Sequence, residues 1–208
     1  YFCTVSGGIA MLGEDAYDYL ELIKCAMSAL DASKKGGKNR CTVYSPELLK
    51  SNLYTMEIIN QLQRSVLAGM KDFSLVYQPF VSSNGLELKG VEVLLRWTSE
   101  THGKIGPAEF IPLLESDNSI IPVGKWIMEQ AFITCKEWLN FYPEFVMNIN
   151  VSYLQIIDKD FIMFVKHLLS KYNLSPRHIV LELTESYFVT EMLILKDAFK
   201  SLRDIGIR

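Results

Sequence analysis

The sequence predicts an α/β fold in which a mainly parallel sheet carries helices between its strands. Three observations lead there. From Phe145 onward, strand-like runs alternate with helical runs of the length that βαβ units use. Before them, two β-rich runs meet across Ser82-Ser83-Asn84-Gly85, a hairpin turn signal that demands an antiparallel pair at the start of the sheet. Earlier still, residues 1–44 read as strand, helix and strand, half of a separate α/β domain that buries too little surface to fold alone.

Taken in order, Phe2 to Met11 is β-branched and apolar around Gly7-Gly8, the pattern of a strand with a bulge or a close backbone approach. Asp15 is the expected N-cap of a helix whose apolar positions Tyr19, Leu22, Ile23, Ala26, Ala29 and Leu30 recur at helical spacing until Gly36-Gly37. Cys41 to Tyr44 follows as a short strand, closed by Ser45-Pro46. Leu49, Leu53, Met56, Ile59, Leu62, Val66 and Met70 step by three or four, so Leu48 to Met70 is expected to be a long amphipathic connecting helix. Phe73 to Val81 and Leu86 to Trp97 form the hairpin strands. Pro107 starts a helix ending near Glu115, and Pro122 sits in the first turn of a longer one that runs to about Phe141. Strand Phe145 to Ser152, helix Asp160 to Tyr172, strand His178 to Ser186 and helix Glu191 to Ile205 complete the alternation, and Ile207-Arg208 reads as the opening of another strand.

Composition narrows the function. The chain has 208 residues, 49% hydrophobic and 22% charged, ordinary for globular domains. A net charge of -3 recommends neither a nucleic-acid polymer nor an anionic membrane as partner. Cys3, Cys25, Cys41 and Cys135 lack metal spacing and read as reduced thiols of a cytoplasmic protein. No apolar run is long enough to span a bilayer. Tyr1 in place of an initiating methionine is expected of a piece of a longer protein, whose upstream part has room for a sensor or membrane segment. His102, His167 and His178 show no ligand spacing and are expected in surface or capping roles. Lys34, Lys35, Lys38 and Arg40 are expected to complement a helix end.

Side chains alternate between faces along a strand. In Gly90 to Trp97 the residues Val91, Val93, Leu95 and Trp97 share an apolar face, and Glu92, Leu94 and Arg96 share the other. Glu92 and Arg96 stand roughly 13 Å apart along the strand, too far to pair, so each needs another partner if the sheet is covered. Water on one open face of an antiparallel strand is the alternative. The pattern recurs: Asn148, Asn150 and Ser152 share a face of the next strand, and Glu182, Thr184 and Ser186 of the one after. Glu92, Asn150 and Glu182 thus occupy positions that a fully buried parallel strand fills with Val or Ile. An oxygen-only donor set without His or Cys suits Mg²⁺ or Mn²⁺ rather than zinc.

Tyr77-Gln78-Pro79, Glu92-Val93-Leu94-Leu95-Arg96-Trp97, Phe110-Ile111-Pro112, Asn150-Val151-Ser152 and Glu182-Leu183-Thr184-Glu185-Ser186 resemble, in order and spacing, the first half of an EAL domain, the cyclic-di-GMP phosphodiesterase family. Val93 stands where the family signature has Ala, a conservative change on the apolar face. Residues 1–44 resemble more weakly the C-terminal part of a GGDEF domain, in Val5 to Ala10 and Lys34 to Arg40, with 45–70 as connector and 71–208 as the barrel part.

The resemblance implies an incomplete TIM-like (β/α) barrel with an antiparallel first strand, preceded by a strand-helix-strand remnant of a second α/β domain. It implies Glu92, Asn150 and Glu182 as ligands of Mg²⁺ or Mn²⁺, Gln78 and Arg96 as substrate contacts, and Glu185 as a loop-orienting residue beside the metal. Activity in the family is metal-assisted in-line hydrolysis of cyclic-di-GMP to linear pGpG. Further metal-binding acids and a catalytic Lys fall beyond Arg208 in the family pattern. The 208 residues alone are therefore expected to be inactive, and to self-associate through open barrel edges. A non-catalytic cyclic-di-GMP sensor is the alternative reading.

Overall fold

A computed structural model of the chain describes residues 3–83, 85, 87–184 and 192–208. It contains two compact units, residues 1–60 and 61–208.

In the first unit, β1 (Gly7–Ile9) and β2 (Cys41–Val43) pair in parallel and α1 (Tyr19–Lys35) packs on them. The strand expected from Phe2 to Met11 shrinks to three residues, because only Gly7 to Ile9 have a neighbour to pair with; Phe2 lies outside the described residues. Asp15 is not the cap of α1. Its carboxylate instead accepts from the Met11 backbone N–H at 2.7 Å and closes a turn, while Asp18 caps α1 by accepting from Glu21 N–H at 2.9 Å. The basic run does complement a helix end: the Arg40 guanidinium donates to the Gly36 carbonyl at 3.0 Å.

Helix α2 (Pro46–Leu67) opens at the expected Ser45-Pro46 boundary and contains the division between the units. It stops at Leu67, short of Met70, where Met70 adopts φ 68° and its N–H returns to the Ser65 carbonyl at 2.9 Å. Its apolar stripe also differs from expectation, since Leu49, Leu53 and Met56 are exposed. In the second unit the buried positions of α2 are Gln61, Leu62 and Ser65, two of them polar. Both are hydrogen-bonded: Gln61 to Ser99, Glu100 and Thr101, and Ser65 to Asp72 and the Trp97 indole.

The sheet of the second unit has β3 (Phe73–Val81), β4 (Leu88–Ser99), β5 (Gly103–Ile105), β6 (Val146–Val151) and β7 (Ile179–Leu183). Its order is β3-β4-β6-β7, with β5 on the end of β4. The first pair is antiparallel, and β4-β6 and β6-β7 are parallel, as expected from the hairpin and the alternation. Asn84 and Leu86 lie outside the described residues; the hairpin bonds around them are Ser82 N–H to Glu87 O at 2.8 Å and Gly85 N–H to Ser82 O at 2.7 Å. β5 and the four-residue α5 (Tyr153–Ile156) are not legible from periodicity, which needs longer windows. The helices α3 (Pro107–Ser116), α4 (Ile120–Trp138), α6 (Phe161–Lys171) and α7 (Met192–Ile205) match their expected positions to within a few residues. β7 is described only to Leu183 as strand, and Ser186 lies outside the described residues. Arg208 hydrogen-bonds along β7, accepting from Leu181 N–H at 2.9 Å, so Ile207-Arg208 does run as a strand would.

The apolar face of the sheet is the core. Val91, Val93, Leu95 and Trp97 of β4 and Met147, Ile149 and Val151 of β6 are each at most 7% exposed; α3 packs on β4, α4 on β6, and α6 on α4. Phe73, Trp97 and Phe110 stack with centroids 6.0 to 6.4 Å apart. Each such ring contributes about 2 to 3 kcal/mol of burial. β4 and β6 approach so closely at Gly90 that a Cβ there would overlap the Val146 carbonyl and the Phe80 ring. His178 is buried rather than superficial: its Nδ1 bonds the Phe145 carbonyl at 2.8 Å and its Nε2 accepts from Arg177.

Candidate functional site

The face opposite the core carries the polar residues that strand alternation singles out. Strand register sets Gln78 beside Glu92 and Glu92 beside Asn148, and on the next pair Asn150 beside Glu182. Period-two alternation therefore brings five polar side chains from four strands onto one surface.

They meet directly. The Asn150 Nδ2 donates to Glu92 Oε1 at 2.7 Å, and the Asn148 Nδ2 donates to Glu182 Oε1 at 2.5 Å. Glu92, Asn150 and Glu182 are thus linked by one hydrogen bond and one register pairing. Gln78 is exposed on the same surface beside Glu92. Arg96, two turns of the alternation further along β4, donates to the Leu95 carbonyl at 2.8 Å and lines a cavity of about 280 Å³. Asn150 and Thr184 line that cavity too, with Leu94 between Glu92 and Arg96. Glu185 lies outside the described residues.

Asn148 is a residue that alternation sets on the polar face without giving it a role. Its Oδ1 is buried and has no hydrogen-bond partner among the described residues. An oxygen in that condition beside two carboxylates and a second amide suits a hard cation, or a proton donor held by one. Among the described residues no three His, Cys, Asp or Glu side chains converge for a metal; the converging set is Glu92, Glu182 and the two amides. Oxygen-only chemistry of this kind fits Mg²⁺ or Mn²⁺.

Other groups near the sheet are poorly suited to chemistry. Cys135, on the side of α4 that faces the core, is fully buried, and burial pushes its thiol up to about 12, so it stays protonated and inert. Asp158 is held below the usual carboxylate range by its bond to Lys125, at 2.9 Å, a surface ion pair rather than an acid for catalysis. All four cysteines are free.

Comparison with known proteins gives the arrangement its place. The EAL domain family model matches residues 59–208. Signaling protein YkoW of Bacillus subtilis is 32% identical over 205 residues, covering 99% of this chain and 25% of that protein. Cyclic di-GMP phosphodiesterase PdeR of Escherichia coli is 28% identical over 207 residues, covering 99% of this chain and 31% of its own length. The chain thus spans about a quarter to a third of the curated relatives it matches. Among solved structures, the PaMucR phosphodiesterase in complex with c-di-GMP aligns with a TM-score of 0.65 at 29% identity, over 72% of this chain and 60% of that one. The EAL enzyme Bd1971 in its cAMP- and cyclic-di-GMP-bound form aligns with a TM-score of 0.66 at 30% identity, over 89% and 48%. The fold aligns with these two structures over most of the chain, and with the family model matched over residues 59–208 the chain belongs to the EAL domain family.

Proposed function

We propose that this domain is a metal-dependent phosphodiesterase that opens cyclic-di-GMP to linear pGpG. The observation that carries the reading is the joined set Glu92, Asn150 and Glu182, with Asn150 bonded to Glu92 at 2.7 Å and in register with Glu182, beside a cavity that Arg96 lines. Glu92, Asn150 and Glu182 would hold Mg²⁺ or Mn²⁺, which supplies Lewis acidity and lowers the pKa of water at neutral pH. Arg96 contacts a substrate phosphate through its planar fork of donors, and Gln78 presents its amide to the substrate from β3. Glu185, which lies outside the described residues, is in this reading the loop-orienting residue beside the metal. The names of PdeR and of the PaMucR complex give this substrate for those proteins, which supports the same ligand here.

The remaining parts of the reading are organisational. Residues 1–44 are the C-terminal part of a GGDEF-like domain, 45–70 a connecting helix and 71–208 the barrel part. The parallel pairing of β1 and β2 around α1 and the bifunctional cyclase and phosphodiesterase named MucR support this division. No helix among the described residues is long and apolar enough to cross a membrane, and we place the domain in the cytoplasm, where a parent with an upstream sensor or membrane segment would present it. Among the described residues β3 pairs on one side only, and Val76 and Val81 on it are exposed, which favours self-association of the isolated 208 residues. Light scattering that finds a monomer removes that part. In this reading the isolated 208 residues do not hydrolyse cyclic-di-GMP, and linear pGpG made by them would remove that part.

The test is cyclic-di-GMP hydrolysis with Mg²⁺ or Mn²⁺ by the protein including whatever sequence naturally follows Arg208, beside Glu92→Ala. Linear pGpG from the wild type alone supports the reading. Binding of the dinucleotide without turnover by either form replaces it with the sensor.

A further inference from the structure

The geometry points to Glu115 and Ser152 as a positioning clamp that aims the Asn150 amide at the metal position, an inference that rests on the reading above and deepens it. Three polar side chains outside the proposed ligand set are buried next to it: Glu115 at 6% exposure, Ser152 at 5% and Gln155 at 4%. Polar groups so deeply buried are kept only where they are bonded and where something depends on their direction.

Their bonds converge on one backbone position. The Ser152 hydroxyl donates to Glu115 Oε1 at 2.5 Å. The Ser152 backbone N–H donates to Gln155 Oε1 at 2.9 Å, forming a capping box over the short helix α5. The Gln155 amide lies so close over α4 that any Cβ at Gly124 would overlap it. Ser152 is thus held from α3 through Glu115 and from α4 through Gln155. It stands two residues after Asn150, on the same face as β6 is left behind.

A strand that ends in free loop lets its last side chains rock; one pinned two residues on does not. Glu115, Ser152 and Gln155 also line the cavity shared by Arg96, Asn150 and Thr184, so the clamp forms part of the wall of the site. Glu115 and Ser152 act through Asn150, without a bond of their own to substrate or metal. Their work is to fix where Asn150 points, as outer residues that bond to ligands commonly do.

The test uses Glu115→Gln, Ser152→Ala and Ser152→Thr, with unfolding temperature measured for each. Mn²⁺ affinity by titration is expected to fall about tenfold in Glu115→Gln and Ser152→Ala, with kcat lowered and KM for the dinucleotide held. Ser152→Thr, which keeps the hydroxyl, is expected to restore both. A second readout is independent of metal: the side-chain amide signals of Asn150 in ¹H–¹⁵N spectra, identified with Asn150→Ala. They are expected to shift or broaden in Glu115→Gln and Ser152→Ala. Unmoved Asn150 signals in folded variants would overturn the clamp, and if Ser152→Ala does not fold, Glu115→Gln decides. Asn150 signals that move in the variants while the wild type binds no Mn²⁺ would keep the clamp and reject the phosphodiesterase reading.

Discussion

Replacing Gln61 with Met removes three hydrogen bonds from the second unit while nearly preserving side-chain length and volume. Gln61 Oε1 accepts from Ser99 Oγ at 2.7 Å and from Glu100 N–H at 3.1 Å, and its Nε2 donates to Thr101 Oγ1 at 2.8 Å. Ser99 is 2% exposed and holds the turn to β5 by accepting from His102 N–H at 3.0 Å. Its hydroxyl would lose its acceptor and the Glu100 N–H would lose a partner, each costing about 1 to 3 kcal/mol where water cannot reach. The added apolar burial of Met returns about 1 kcal/mol. The net expectation is a loss of about 3 kcal/mol, or roughly 6 to 12 °C in unfolding temperature for a domain of this size. Urea unfolding followed by tryptophan fluorescence measures it, since Trp97 donates to Ser65 one helical turn from Gln61. A double-mutant cycle with Ser99→Ala should return a coupling of about 1 kcal/mol. A loss below about 1 kcal/mol, or zero coupling, would refute the claim that these bonds hold α2 to the end of β4.

Three further outcomes follow from the same geometry. Asn148→Ala takes away the donor on Glu182 and should weaken Mn²⁺ binding about tenfold in a calorimetric titration, whereas unchanged affinity would show that Asn148 has no part in the site. Gly90→Ala should cost about 3 kcal/mol or prevent folding, because its Cβ meets a backbone carbonyl that cannot move aside; a circular dichroism melt within about 2 °C of wild type, the shift that about 1 kcal/mol produces, would contradict the close approach of β4 and β6. Cys135, raised to about 12 by burial, keeps its proton in the folded chain while the unfolded chain loses it near pH 9, so folding stability falls as pH rises between those values. Cys135→Ala should flatten that alkaline limb, and in the native wild type a thiol reagent should modify the exposed Cys3 and Cys41 but not Cys135.

The two faces of the sheet are legible in the sequence because alternation in β4 and β6 gathers Val91, Val93, Leu95, Trp97, Met147, Ile149 and Val151 on one face and Glu92, Arg96, Asn148 and Asn150 on the other. The same alternation puts Glu92, Asn150 and Glu182 on one surface from the order of residues alone. It cannot say that Asn148 bonds Glu182, since cross-strand register depends on where each strand starts and not on its period. Glu115 and Gln155 carry no signal of their own, and alternation sets Ser152 on the polar face without giving its partners, as these contacts join α3, α4 and the end of β6 across the fold. In α2 the apolar stripe misleads because Gln61 and Ser65, polar by type, take the buried positions through complete bonding, while Leu49, Leu53 and Met56 stay exposed. The cap of α1 is ambiguous for a related reason: Asp15 and Asp18 are both good caps, and only the turn at Met11 decides between them.

The division of the sheet into an apolar face under the helices and a polar face opposite separates two quantities that selection can act on independently. Amounts of protein in the cell depend on Val91, Val93, Trp97, Met147 and Ile149, which lie under the helices. On the reading proposed above, turnover would depend on Gln78, Glu92, Arg96 and Glu182, whose side chains lie on the face opposite that core. A saturation library scored for abundance and for output should therefore give two interleaved maps along β4 and β6, alternating residue by residue. On the same reading, single changes on the polar map would remove turnover and leave the apolar core, and with it the fold, in place.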